Sequence, residues 1–153
     1  MARILIADDD ELIAELASEV LIDCGHACGW VTSAAAAWQC VNRKRPDILL
    51  LDQSMPGESG MTLLRRLRRS PMLYDLPVIM FTAMSGEQDA CQAIYAGAQD
   101  FLTKPFEPHD LAARINRIIK LRGARPRHVD LRSAMIGPPM RAEISAGIAR
   151  RII

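Results

Sequence analysis

Residues 48–60 read ILLLDQSMPGESG. Four aliphatic side chains, Ile48 to Leu51, run straight into a carboxylate, Asp52, and a Met55-Pro56-Gly57 turn follows at once. An apolar run of this length, closed by a turn, has the size of a buried strand. A strand without polar alternation is the kind found in a parallel sheet covered on both faces. A charge at its end is costly unless a partner or a reaction occupies it. The stretch therefore predicts an α/β layered fold. It also marks the carboxyl end of this strand as the place for a site, because open parallel sheets bind ligands there.

The flanking sequence repeats the pattern. RILIA (3–7) and VIMFT (78–82) are apolar runs of the same kind, while HACGWVTS (26–33) and DFLT (100–103) are weaker strand candidates. Leu12, Ile13, Leu16, Ala17, Val20 and Leu21 recur at helical spacing, and Gly25 closes that helix. AAAAWQCVNRKR (34–45) reads as a helix that stops at Pro46. Met61, Leu64 and Leu67 mark the next, GEQDACQAIYAGAQ (86–99) another with a stop at Gly97, and Leu111, Ile115, Ile118 and Ile119 the last. The order is strand then helix, five times, ending near Arg122. Arg65, Arg66, Arg68 and Arg69 complement a helix C-terminus, which predicts a solvated face rather than a nucleic-acid site.

The chain has 153 residues, half of them hydrophobic, enough for one domain with a core. The formal net charge of +1 favours no acidic partner, but it hides an asymmetry. Seven of the 19 basic residues and two of the 18 acids follow Lys120. This divides the chain into a domain over residues 2–122 and a basic tail over 123–153. No run has the length and apolarity of a membrane span, and the N-terminus lacks the form of a signal peptide, so the expected location is cytoplasmic. Of the four cysteines, Cys24 and Cys28 flank His26 in CGHAC. A zinc site would need a second ligand pair at suitable spacing, and none follows. The expectation is small buried apolar residues around a helix-to-strand turn.

The strand ends carry chemistry. The first ends on Asp8, Asp9 and Asp10, the third on Asp52, the fourth on Thr82 and Ala83, and the fifth is followed by Lys104 and Pro105. Tips of a parallel sheet are neighbours, so these groups converge. Clustered carboxylates repel one another, and a hard cation such as Mg²⁺ relieves that. A lysine balances charge and holds phosphate, and a threonine hydroxyl donates to the same oxygens. The ensemble describes an aspartate that accepts a phosphoryl group with metal help. Asp10 is read instead as the cap of the first helix.

ILIADDDELI, DILLLDQSMPGESG, PVIMFTA and GAQDFLTKPFEP together resemble the receiver domain of two-component response regulators, over about residues 2–122. The resemblance implies a flavodoxin-like (βα)5 sandwich with a parallel sheet in the order 2-1-3-4-5. It implies Asp52 as phosphoacceptor, with Asp8, Asp9, Asp52 and the Ser54 backbone carbonyl holding Mg²⁺. Thr82, Ala83 and Lys104 would bind phosphate, Thr82 and Phe101 would form the switch pair, and the peptide before Pro105 would be cis. Ser54 and Met84 would flank the path of hydrolytic water and tune the lifetime of the modified state. The implied donor is a sensor histidine kinase or a phosphotransfer protein. The implied readout is a population shift of the fourth helix, fifth strand and fifth helix. Such a domain is a switch rather than an enzyme, apart from its self-catalysed phosphorylation and dephosphorylation.

Other classes fit less well. A receiver-like interaction module that is not phosphorylated would lack the acids, acceptor or lysine. An aspartate-nucleophile phosphatase would carry an acid where Ser54 stands, and a flavin protein would want hydroxyls rather than acids after the first strand. In the tail, Met140, Ile144, Ile148 and Ile152 suggest an amphipathic helix beside arginines. It is read as a packed helix or basic tail, with a docking or homodimerisation element as the sharper alternative. DLAARINRIIKLRGARPR resembles the last helix and linker of receivers joined to winged-helix domains, yet the residues that follow are too few for one. Direct DNA binding by this chain is disfavoured, and the alternative is the N-terminal part of a longer DNA-binding regulator.

Overall fold

The computed structural model describes residues 1–83 and 87–124. Met84 and the proposed amphipathic stretch of the tail lie outside the described residues. Ten elements alternate: β1 (Arg3–Ala7), α1 (Glu11–Asp23), β2 (Ala27–Val31), α2 (Ala34–Arg43), β3 (Ile48–Leu51), α3 (Gly60–Arg69), β4 (Val78–Thr82), α4 (Glu87–Tyr95), β5 (Asp100–Thr103) and α5 (Pro108–Ala124). The five strands form one sheet, parallel as the alternation requires and in the order β2-β1-β3-β4-β5 that the resemblance implies. Contacts divide the chain into one unit over Met1–Ile118 and another over Ile119–Ile153. The first holds the sheet and α1–α4. Of the second, the described part is the end of α5.

Sequence patterning explains the layers. Every residue of β3 and of β4 is buried, as their unbroken apolar runs demand. Ala7, Leu49, Leu51, Val78 and Met80 pack with Ala34, Ala37 and Val41 of α2, Leu63, Leu64 and Leu67 of α3, and Ala93 of α4. The alternate side chains Ile6, Leu50, Ile79 and Phe81 are left for the opposite face, to which Ala17 and Leu21 of α1 and Leu111 and Ile115 of α5 add buried apolar surface. No described helix is long and apolar enough to cross a membrane.

Three expectations are corrected. On α1 the buried residues are Ala14, Ala17, Ser18 and Leu21, whereas Leu12 is 63% and Leu16 44% exposed. Small side chains let a helix approach its sheet closely, and the Ser18 hydroxyl is satisfied by a hydrogen bond with Cys28. Of the expected stripe, Ala17 and Leu21 are buried and Ile13 and Val20 half-buried, so the inward face is rotated from the one hydropathy marks by ranking leucine first. The cysteines are not a buried set: Cys24 and Cys91 are exposed, and Cys28 and Cys40 are half-buried. His26 accepts the Ala2 N–H at Nδ1 (3.1 Å) and takes no part in an acid or thiol cluster of the described residues. Helix α2 ends at Arg43 rather than running to Pro46, because proline restricts the residue before it. Arg45 instead turns to the Met72 carbonyl and Asp75, each at 2.9 Å.

The arginine cluster is also not uniformly solvated. Arg65 and Arg69 are exposed, but Arg68 donates to the carbonyls of Tyr74 (3.1 Å), Leu76 (2.7 Å) and Gly97 (2.6 and 2.9 Å) and to Gln99 Oε1 (3.0 Å). Gln99 Oε1 in turn accepts the Val78 N–H at 2.7 Å. One guanidinium thus ties the end of α3 to the turns entering β4 and β5. At Gly97, whose φ is +110°, an added Cβ would lie 2.8 Å from Arg68 Nε.

Two stability predictions follow from this packing. A Cβ at Gly60 would stand 2.1 Å from the Asp52 carbonyl oxygen, while one at Gly29 would meet nothing within 4 Å. Gly60→Ala is expected to cost at least about 2 kcal/mol in urea unfolding and Gly29→Ala less than about 0.5 kcal/mol. Arg68→Met is expected to cost about 2–4 kcal/mol, because it orphans several carbonyls, against less than about 0.5 kcal/mol for Arg65→Met.

Candidate functional site

Strand register brings the site together. Ala7 pairs with Leu51, Leu51 with Met80, and Met80 with Phe101. Asp8 and Asp52 are each the next residue after a paired position. The Asp52 N–H donates to the Ala7 carbonyl (2.9 Å) and the Asp8 N–H to the Val31 carbonyl (3.0 Å), so both acids are carried on extended ladders. Thr82 ends β4, and its carbonyl accepts the Lys104 N–H at 2.8 Å, which sets the lysine beside the acids. The Lys104–Pro105 peptide is cis.

The side chains complete a buried ion cluster. Asp8 is 0%, Asp52 4% and Thr82 1% exposed. Lys104 Nζ donates to Asp8 Oδ2 and lies 3.5 Å from Asp52 Oδ2. The other Asp8 oxygen accepts the Asp10 N–H at 2.9 Å. Asp10 itself caps α1, accepting the N–H groups of Leu12 and Ile13, which is the role read for it from sequence. Burial pushes the Asp52 carboxyl up to about 6; the Lys104 ammonium opposes that rise, Asp8 adds to it, and the Ser54 N–H donated to the carboxylate opposes it again.

The remaining candidates lie around this cluster. Asp9 is exposed at its mouth, Ser54 is exposed on the β3–α3 loop, and Ala83 is exposed just past β4. Phe101 is half-buried and packs against the core on the side of α2, α3 and α4. Carboxylate oxygens of Asp8, Asp9 and Asp52 all lie within 4.8 Å of one another. Opposite ligands of Mg²⁺ stand ~4.2 Å apart, so this hard oxygen set fits such an ion with small adjustments.

Two aromatics go unread in the sequence. Lys104 Nζ stands 5.1 Å from the centroid of Phe81, and Phe106 meets the same ring edge-on at 5.3 Å. Phe81 reads as an ordinary strand residue, and no spacing rule links it to a lysine 23 positions on. Phe106, just after Lys104-Pro105, is the weak signal that was available.

A doubly wound parallel sheet with acids, a hydroxyl and a lysine gathered at its carboxyl edge defines a switch-point site of the flavodoxin-like class. Residues 4–116 match the family model of the response regulator receiver domain, and the chain belongs to that family. It is 38% identical over 120 residues to the phosphate regulon transcriptional regulatory protein PhoB of Pseudomonas aeruginosa, covering 78% of this chain and 52% of that protein. It is 33% identical over 146 residues to the virulence transcriptional regulatory protein PhoP of Salmonella typhimurium, covering 95% of this chain and 62% of that one. The chain thus spans about half the length of the curated relatives it matches. Among solved structures, a response regulator from Chloroflexus aurantiacus superposes with a TM-score of 0.75 at 36% identity, covering 78% of this chain and 98% of that one.

The raised Asp52 carboxyl makes stability depend on pH. The folded protein holds this proton more tightly than the unfolded chain does, so stability falls as pH rises from about 4 to about 6 and stays reduced above that. In EDTA, Asp52→Asn is expected to be more stable than wild type by about 1–3 kcal/mol at pH 8. The difference should shrink towards zero as pH is lowered to about 4, measured by urea unfolding at each pH.

Proposed function

We propose that residues 2–122 work as a phosphorylation-controlled switch in which Asp52 accepts a phosphoryl group. The observation that carries the reading is the buried pair Asp8 and Asp52 sharing the Lys104 ammonium at the strand ends. An Asp52 carboxylate oxygen attacks phosphorus in line. The bond from phosphorus to the donor nitrogen, of a sensor histidine kinase or a phosphotransfer protein, breaks, and the pair of electrons stays on that nitrogen. Mg²⁺, held by Asp8, Asp9, Asp52 and the Ser54 carbonyl, would neutralise phosphoryl oxygens. Lys104 then exchanges part of its pairing with the carboxylates for a phosphoryl oxygen. The Thr82 hydroxyl and the Ala83 N–H donate to the others.

The pull on Thr82 vacates space that Phe101 fills, and the α4, β5 and α5 face shifts between two packings. On this reading the chain is a cytoplasmic phosphoprotein and a switch, not an enzyme with a substrate of its own. Its output passes to a partner protein or through the basic tail, with no membrane role and no direct DNA contact by these residues. Leu12 and Leu16, exposed one turn apart on α1 just past the acids, offer an apolar footing for a donor protein.

Incubation with acetyl phosphate and Mg²⁺ is expected to give one hydroxylamine-sensitive phosphoryl adduct by intact mass, absent in Asp52→Asn and in EDTA. No adduct on wild type at any Mg²⁺ concentration would overturn the reading.

A further inference from the structure

The β3–α3 loop carries Asp52 at one end and starts α3 at the other. Both ends are fixed: the Gly60 N–H donates to the Gln53 carbonyl (3.0 Å), and the Met61 N–H donates to Gln53 Oε1 (2.7 Å). Met55 is buried in the core, which anchors the first half. The crown, Pro56 and Gly57, is exposed. Next to it stands Glu58, whose Oε1 accepts from Arg66 Nη1 at 2.6 Å. The same Arg66 guanidinium lies 4.2 Å over the ring of Trp38 on α2, and Trp38 packs against the core.

We infer that Glu58, held by Arg66 against Trp38, is a positioning residue for the acceptor loop and sets the affinity of the Asp8, Asp9 and Asp52 cluster for Mg²⁺. The inference rests on the phosphoryl-acceptor reading and deepens it. An exposed ion pair contributes little because two mobile side chains must be ordered. Here the glutamate side chain is only 19% exposed and the guanidinium is already stacked on a fixed indole, so less freedom is lost in holding the loop. The brace holds the second half of the loop as Met55 holds the first, and the two together restrain the segment that presents Ser54. The Ser54 N–H donates to the Asp52 carboxylate, so loop position and acceptor orientation are linked directly. A looser loop leaves the fold intact but spreads the ligand oxygens over more arrangements, which weakens metal binding.

Trp38 makes the test direct. The chain has two tryptophans, so Trp30→Phe leaves Trp38 as the sole tryptophan, excited selectively at the red edge of the absorption band. The full chain carrying that change is titrated with Mg²⁺ by calorimetry and by Trp38 fluorescence, alone and with Glu58→Gln, Arg66→Met or both. Thermal melts and acetyl phosphate labelling are run on every sample. Glu58→Gln is nearly isosteric, and Arg66→Met keeps the packing of the stem. The expected result is a Kd for Mg²⁺ raised about 3- to 10-fold in each single variant, no further rise in the double, and melting temperatures close to the background.

The Trp38 response to Mg²⁺ should be lost in both singles. A background that binds Mg²⁺ and takes the phosphoryl group, with single variants within twofold of it, would overturn the brace alone. Additive losses in the double would do the same. A background that neither binds Mg²⁺ nor becomes labelled would overturn the acceptor reading and the inference together.

Discussion

Everything at the carboxyl edge of the sheet depends on two carboxylates, Asp8 and Asp52, held almost out of water around one ammonium. At 3.5 Å an ion pair such as Lys104–Asp52 is worth about 5 kcal/mol at an effective dielectric constant of 20, and desolvation of the charges takes back much of it. The result is not a strongly stabilising contact. It is a cluster with one cation between two anions, which gains from any further positive charge. Burial wins over Lys104 at Asp52, which is why that carboxyl is pushed up to about 6 rather than down. A site in this condition is suited to taking a hard cation and an anionic group together.

The scaffold serves that condition by fixing backbones before side chains. Asp52 is bonded through its N–H to β1 and Lys104 through its N–H to β4. The Asp52 carbonyl has Gly60 directly beside it, so the first turn of α3 is pressed against the peptide of Asp52 itself. On the far side of α3, Arg68 ties the helix end to the turns that enter β4 and β5. Asp52, the Thr82 strand and the Lys104 strand are therefore joined through one helix as well as through the sheet.

Local sequence determined a good deal. The unbroken runs 48–51 and 78–82 require strands buried on both faces, and alternation with helices requires a parallel sheet, so the layered fold was legible from periodicity. Asp8, Asp9, Asp52, Thr82 and Lys104 were legible because each ends or follows a strand, and parallel strands put all such ends on one edge. The cap at Asp10 was legible for a local reason, since its side chain reaches only its own helix.

Tertiary structure alone decided the rest. Leu12 and Leu16 are exposed, and Ala14 and Ser18 buried, because helix-to-sheet distance rather than hydropathy chooses the inward face of α1. Four arginines within five residues look equivalent in sequence, yet Arg68 is a clamp and Arg66 a stacked brace, while Arg65 and Arg69 meet solvent. Their partners, Gly97, Gln99 and Trp38, lie about 30 residues away and share no periodicity with them. Phe81 under Lys104 is hidden for the same reason. Periodicity is a property of neighbours along the chain, whereas these contacts exist only once the elements have packed.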